Sequence, residues 1–139
     1  MAHSKALATV RFYFSFNCLK INLNMTDCIF CKIINKKLPA SVEAETKNVI
    51  VFHSIAPVST YHVLIVPKKH IKSFQDFSPK DKDLFFEMVK IAQKVIKDKK
   101  LSSGYKLVIN GGKYQAVSHF HWHLLGGELE DKNDILNQT

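Results

Sequence analysis

The chain has 139 residues, 46% of them hydrophobic, with 20 basic against 12 acidic side chains and a formal charge of +8. That length supports one domain with one real core, and no apolar run approaches the ~20 residues of a membrane-spanning helix. The basic residues are scattered rather than gathered in a patch, which argues against nucleic acid and a membrane as partners and suits a small anion such as a nucleotide.

Residues 1–24 differ from the rest. They hold Lys5, Arg11 and Lys20, no acid, and several aromatics. That composition is similar to an organellar transit peptide, which would place the protein in a mitochondrion or another organelle. The alternative is a leader upstream of a domain that starts at Met25, so the expected organisation is an extension at 1–24 and a domain at 25–139. The three cysteines, Cys18, Cys28 and Cys31, are too few and too unevenly spaced for a disulfide framework. They point to a reducing, cytoplasmic setting if the extension is not a targeting signal.

In 28-CIFCKIINKKLP-39 the apolar residues at 29, 30, 33 and 34 have helical spacing, with Pro39 as the stop. Residues 41–45 and 49–54 flank a Lys47-Asn48 turn signal and read as a hairpin, and 61–66 as a third strand ended by Pro67. The segment 78–100 is the clearest helix. Ser78 is its cap, Pro79 follows, and Asp81 completes a capping-box pattern. Leu84, Phe85, Met88, Ile91, Ala92, Val95 and Ile96 form its apolar stripe. A fourth strand spans 105–110. The fold class that follows is α+β with a mainly antiparallel sheet.

The fifth strand, 118-SHFHWHLLGG-127, carries the chemistry. Alternation puts His119, His121 and His123 on one face and Phe120, Trp122 and Leu124 on the other, with Gly126-Gly127 as a closing turn. Three imidazoles in a row could be a solvated face, a metal site or a catalytic row. Positions i and i+2 lie roughly 6.5–7 Å apart along a strand. Three histidines on a straight strand therefore cannot converge on a zinc ion that needs nitrogens about 2.0 Å away. A nucleophilic imidazole flanked by proton-handling neighbours fits better, because histidine titrates near neutrality. The Cys28-x-x-Cys31 spacing is that of half a zinc site, and His70 and His119 are candidates for the other half.

Together these segments resemble the histidine-triad nucleotide-binding family. The run 119-HFHWHLL-125 has its His-φ-His-φ-His-φ-φ pattern. The segments 28-CIFCKIINKKLP-39, 51-VFHSIAP-57, 61-YHVLIVPKKHI-71 and 106-KLVINGG-112 follow in the family's order. The likeness spans residues 27–127 and is greatest to the nucleoside phosphoramidate hydrolase branch, once described as protein kinase C inhibitors. It implies a five-stranded antiparallel sheet with two helices, a homodimer, and cleavage of purine, typically adenosine, 5′-phosphoramidates through a nucleotidyl-histidine. No cofactor is required for that chemistry.

Residue by residue, the resemblance makes His121 the nucleophile, with His123, His62 and His119 beside it. Ile29, Phe30, Ile33, Phe52 and Ile55 match the wall around the base, Asn110 a residue near phosphate and ribose, and the loop residues Gln115, Ala116 and Val117 the phosphate cradle. Cys28, Cys31, His70 and His119 match a structural zinc set. Three features depart from the branch. Ser54 replaces a ribose-binding aspartate, Ala116 replaces a serine that assists the leaving group, and the loop from Asn110 to Gln115 is short. A dinucleoside polyphosphate hydrolase or nucleotidyl transferase, and a non-catalytic nucleotide-binding module, are the competing expectations.

Overall fold

A computed structural model describes residues 27–129; the 1–24 extension and the acidic tail beyond Leu129 lie outside the described residues. The order is α1 (Ile29–Ile34), β1 (Val42–Glu45), β2 (Val49–His53), β3 (Ser59–Pro67), α2 (Lys82–Asp98), β4 (Tyr105–Ile109) and β5 (Trp122–Leu129), with two 3-10 turns between β3 and α2 and one after β4. The five strands form one antiparallel sheet in the order β1-β2-β3-β5-β4. Among the described residues no helix is long and apolar enough to cross a membrane.

Alternation divides the sheet into two chemically different faces. Val49, Val51, Val63, Ile65, Trp122 and Leu124 pack against Met88, Ile91, Ala92 and Val95 of α2 in the main core. Ile50, Phe52, Leu64 and Val66 point the other way, onto Phe30 of α1. His62 and His123 belong to that second face, because cross-strand partners share a side: His123 pairs with both Leu64 and Val108.

The ends of the elements show where local signals were overridden. Pro39 does not end α1. The chain leaves the helix at Lys36, which has φ 61°, while the Lys37 and Lys36 amides bond back to Lys32 and Ile33. Lys100, at φ 55°, ends α2 in the same way, with Leu101 bonded to Ile96. Both are Schellman closures with lysine in the position that favours glycine. At the start of α2 the Ser78 amide donates to the Asp81 carboxylate across 3.1 Å, as the capping pattern predicts.

Gly126 and Gly127 do not close β5 with a turn. Gly126 pairs with Tyr61 and Tyr105, and the strand runs on to Leu129. A Cβ on Gly126 would stand 2.7 Å from a Leu101 methyl, and Gly127 has φ +71° where the β3–β5 register shifts. These glycines serve close packing and a bulge.

Candidate active site and metal centre

The paired part of the histidine strand begins only at Trp122, so His119 and His121 precede the β5 ladder. Alternation still holds there. Phe120 is fully buried against Phe77 on the α2 side, while the histidines face α1. Freed from the straight ladder, the row splits between two sites.

His121 sits in the middle. Its Nδ1 lies 2.7 Å from the carbonyl oxygen of His119. A carbonyl can only accept, so the proton is on Nδ1 and the lone pair is on Nε2. The ring is buried. Burial lowers its pKa, and the bond to the His119 carbonyl opposes that in part. The result is a neutral imidazole with a defined nucleophilic nitrogen.

The same reasoning fixes the next two rings. The Val58 amide donates to His62 Nδ1 across 3.1 Å, so neutral His62 carries its proton on Nε2. That nitrogen lies 3.0 Å from His123 Nδ1, which must accept. His123 therefore presents Nε2–H. The Asn110 amide is 3.5 Å from that nitrogen, and Asn110 Oδ1 is the buried acceptor still lacking a partner. Because His123 Nε2 carries a proton and needs an acceptor, we assign the amide with its oxygen toward His123. Burial pushes both His62 and His123 down to about 4, with neighbouring imidazoles adding to the effect on His123. The chain Val58, His62, His123, Asn110 is thus a polarised line of neutral donors and acceptors.

At the other end of the row, Cys28, Cys31, His70 and His119 place one ligand atom each within 4.8 Å of the others. His119 Nε2 donates to the Pro67 carbonyl across 2.7 Å, leaving the Nδ1 lone pair aimed at both sulfurs, 3.5 Å from each. His70 Nδ1 is 3.2 Å from Cys31 Sγ. A tetrahedral zinc with bonds of about 2.3 Å to sulfur and 2.0 Å to nitrogen would set such atoms about 3.5 Å apart. The donor set and its spacing fit zinc. Both cysteines are free, and without a cation burial and the neighbouring Cys28 push the Cys31 thiol up to about 12, so binding would have to displace its proton.

The remaining residues fall into groups. Phe30, Ile33, Phe52 and Val117 meet in one apolar cluster, with the Phe30 ring edge-on to His121 at 5.0 Å. Ile29 is half exposed and lines the cavity beside Cys28, and Ile55 is fully exposed. Ser54 Oγ accepts the Ala56 amide at 3.2 Å, so its hydroxyl is partly committed to its own turn. The Gln115 side chain braces the loop instead of facing a ligand, donating to the Lys72 and Val117 carbonyls. Ala116 and Val117 line a cavity of about 450 Å³ together with Asp27, Cys28, His70 and Lys72. Sequence reasoning does not single out the Pro67 and His119 carbonyls or the Val58 amide by residue. Backbone groups carry no residue-type signal.

A family model described as "Scavenger mRNA decapping enzyme C-term binding" matches residues 27–135. A HIT-like protein of Buchnera aphidicola is 38% identical over 103 residues, covering 72% of this chain and 90% of that protein. The chain belongs to the histidine-triad family. Among solved histidine-triad structures, a HIT family hydrolase from Clostridium thermocellum is 38% identical, with a TM-score of 0.71 over 73% of this chain and 91% of that one. A zinc-bound histidine-triad protein from Mycobacterium smegmatis is 27% identical, with a TM-score of 0.65 over 78% and 80% of the two chains. The five-stranded sheet and two helices are those expected of a histidine-triad fold.

Proposed function

We propose that the protein is a hydrolase of nucleoside 5′-phosphoramidates, acting through a nucleotidyl-His121 intermediate on a purine, typically adenosine, nucleotide. The observation that carries this reading is the bond from His121 Nδ1 to the His119 carbonyl, which leaves Nε2 as the one free nucleophilic nitrogen of that ring. Nε2 attacks the α-phosphorus as the phosphorus–nitrogen bond breaks. The departing amine keeps the bonding electrons and takes a proton from water. The hydroxide equivalent left behind then attacks phosphorus, breaks the bond to Nε2 and releases the nucleoside monophosphate.

His123 is neutral in this scheme and has no proton to give away. Its Nε2–H, which meets Asn110 when no substrate is bound, turns to donate a hydrogen bond to a phosphoryl oxygen or the leaving nitrogen, where charge develops. Ala116 offers no hydroxyl for that purpose, which puts more of the task on His123. The apolar wall of Phe30, Ile33 and Phe52 suits a flat base. Assembly as a homodimer is part of the proposal: β4 has one unpaired edge, and Tyr105, Leu107 and Ile109 on it are exposed.

The test is amine release from an adenosine 5′-phosphoramidate by the parent and by His121→Ala, without added metal. Release by the parent and its loss in the variant support the proposal. Turnover of a dinucleoside polyphosphate alone would replace the leaving group in it. Nucleotide binding with no turnover of either compound would make the protein a binding module and sink the enzymatic reading.

A further inference from the structure

His119 belongs to both sites at once. Its Nδ1 faces the two thiols, and its carbonyl holds the His121 proton. A second link runs through α1. Cys28 is the N-cap of this six-residue helix and Cys31 lies in its first turn, and no side chain caps it. Between them in sequence stands Phe30, whose ring touches both His119 and His121, with centroids at 5.9 and 5.0 Å. A helix this short has no stability of its own. Without a cation, the tetrad ties it to the sheet only by thiol–imidazole contacts of 3.2–3.5 Å. Such contacts are weak, because sulfur is a poor hydrogen-bonding atom.

We propose that the Cys28, Cys31, His70 and His119 tetrad is a positioning device for the nucleophile, so that zinc bound there holds the His119 carbonyl and Phe30 against His121. The tetrad is also reachable. Cys28 and His70 line the 450 Å³ cavity, with Asp27 beside them. That cavity gives a cation an aqueous route in and out, with Asp27 and Lys72 of opposite charge both on its lining. Occupancy is therefore set by the free zinc concentration, and the reacting imidazole responds to it. The inference rests on His121 as the reacting nitrogen.

The experiment compares the full chain loaded with zinc chloride, stripped by a chelator, and reloaded. Three readouts are taken: backbone circular dichroism, the His121 Nδ1–H resonance in nitrogen-15 histidine spectra, and kcat and KM on the phosphoramidate. The expected result is a folded metal-free protein whose His121 ring-proton signal broadens or vanishes. Its kcat falls at least tenfold with a smaller change in KM, and zinc restores both. His70→Gln is expected to reproduce the metal-free spectrum while retaining the thiols. An unchanged His121 resonance and kcat in folded, metal-free protein would overturn the proposal, as would failure to bind zinc. Unfolding on zinc removal would also overturn it, leaving a purely structural site. The spectra do not depend on substrate, so a protein that turns over no phosphoramidate still answers the question, and failure of the hydrolase reading remains separate.

Discussion

His62 hands its Nε2 proton toward His123 Nδ1 across 3.0 Å, and this contact decides which nitrogen of His123 faces the site. Replacing His62 with alanine lets His123 adopt the other tautomer. One lost orienting hydrogen bond is worth about 1.4–2.7 kcal/mol here, so kcat is expected to fall roughly 10- to 100-fold with little change in KM. His62→Gln, which keeps a donor, is expected to recover part of that loss. Equal kcat in His62→Ala and the parent would show that the tautomer of His123 is immaterial.

His121→Ala removes the proposed nucleophile outright. Turnover is expected to drop by about 10³-fold or more, while product binding, which uses Phe30, Ile33 and Phe52, persists. Mass spectrometry of a rapidly quenched reaction is expected to find the nucleotidyl adduct on His121 of the parent. An adduct on another residue would reassign the nucleophile.

Acid sensitivity follows from the buried rings. His62 and His123 titrate near 4 in the folded chain, against an ordinary value of 6.5. Between those values the unfolded chain binds more protons, so stability rises with pH. The contribution is complete above pH 6.5 and is lost as pH falls toward 4. The urea midpoint is expected to be flat from pH 8 to 7 and to decline steadily from 6.5 to 4.5. The decline should be shallower in His62→Phe, where one such ring is gone. Because burial also lowers His121, the acid limb of kcat/KM is expected below 6.5. A limb above that value would contradict the neutral, buried nucleophile.

Two backbone positions give predictions of opposite sign. Gly127 has φ +71°, and a Cβ there would stand 2.9 Å from the Thr60 Cβ. Gly127→Ala is expected to cost about 1–3 kcal/mol. Lys100 already bears a side chain at φ 55°. Lys100→Gly relieves that strain, offset in part by unfolded-chain entropy, for a net gain of about 0.5 kcal/mol. Thermal unfolding of the two variants checks both signs.

The amino-acid sequence by itself determined the elements and named the candidate site side chains. The stripe of α2, the hairpin at Lys47-Asn48 and the alternation around Phe120 and Trp122 are local patterns, and burying apolar surface leaves them little choice. The set Cys28, Cys31, His70 and His119 was also legible, because thiol and imidazole spacing has few other uses. Tertiary structure decided which nitrogen of each histidine is free. The carbonyls of His119 and Pro67 and the amide of Val58 assign those protons, and every residue has such groups, so sequence cannot single them out. Tertiary structure also turned Gly126-Gly127 from an apparent turn into strand, since only the packed chain brings Leu101 and Thr60 against them. It ended α1 at Ile34, with the left-handed turn at Lys36, ahead of Pro39. Closing hydrogen bonds and packing outweighed the cost of a left-handed lysine.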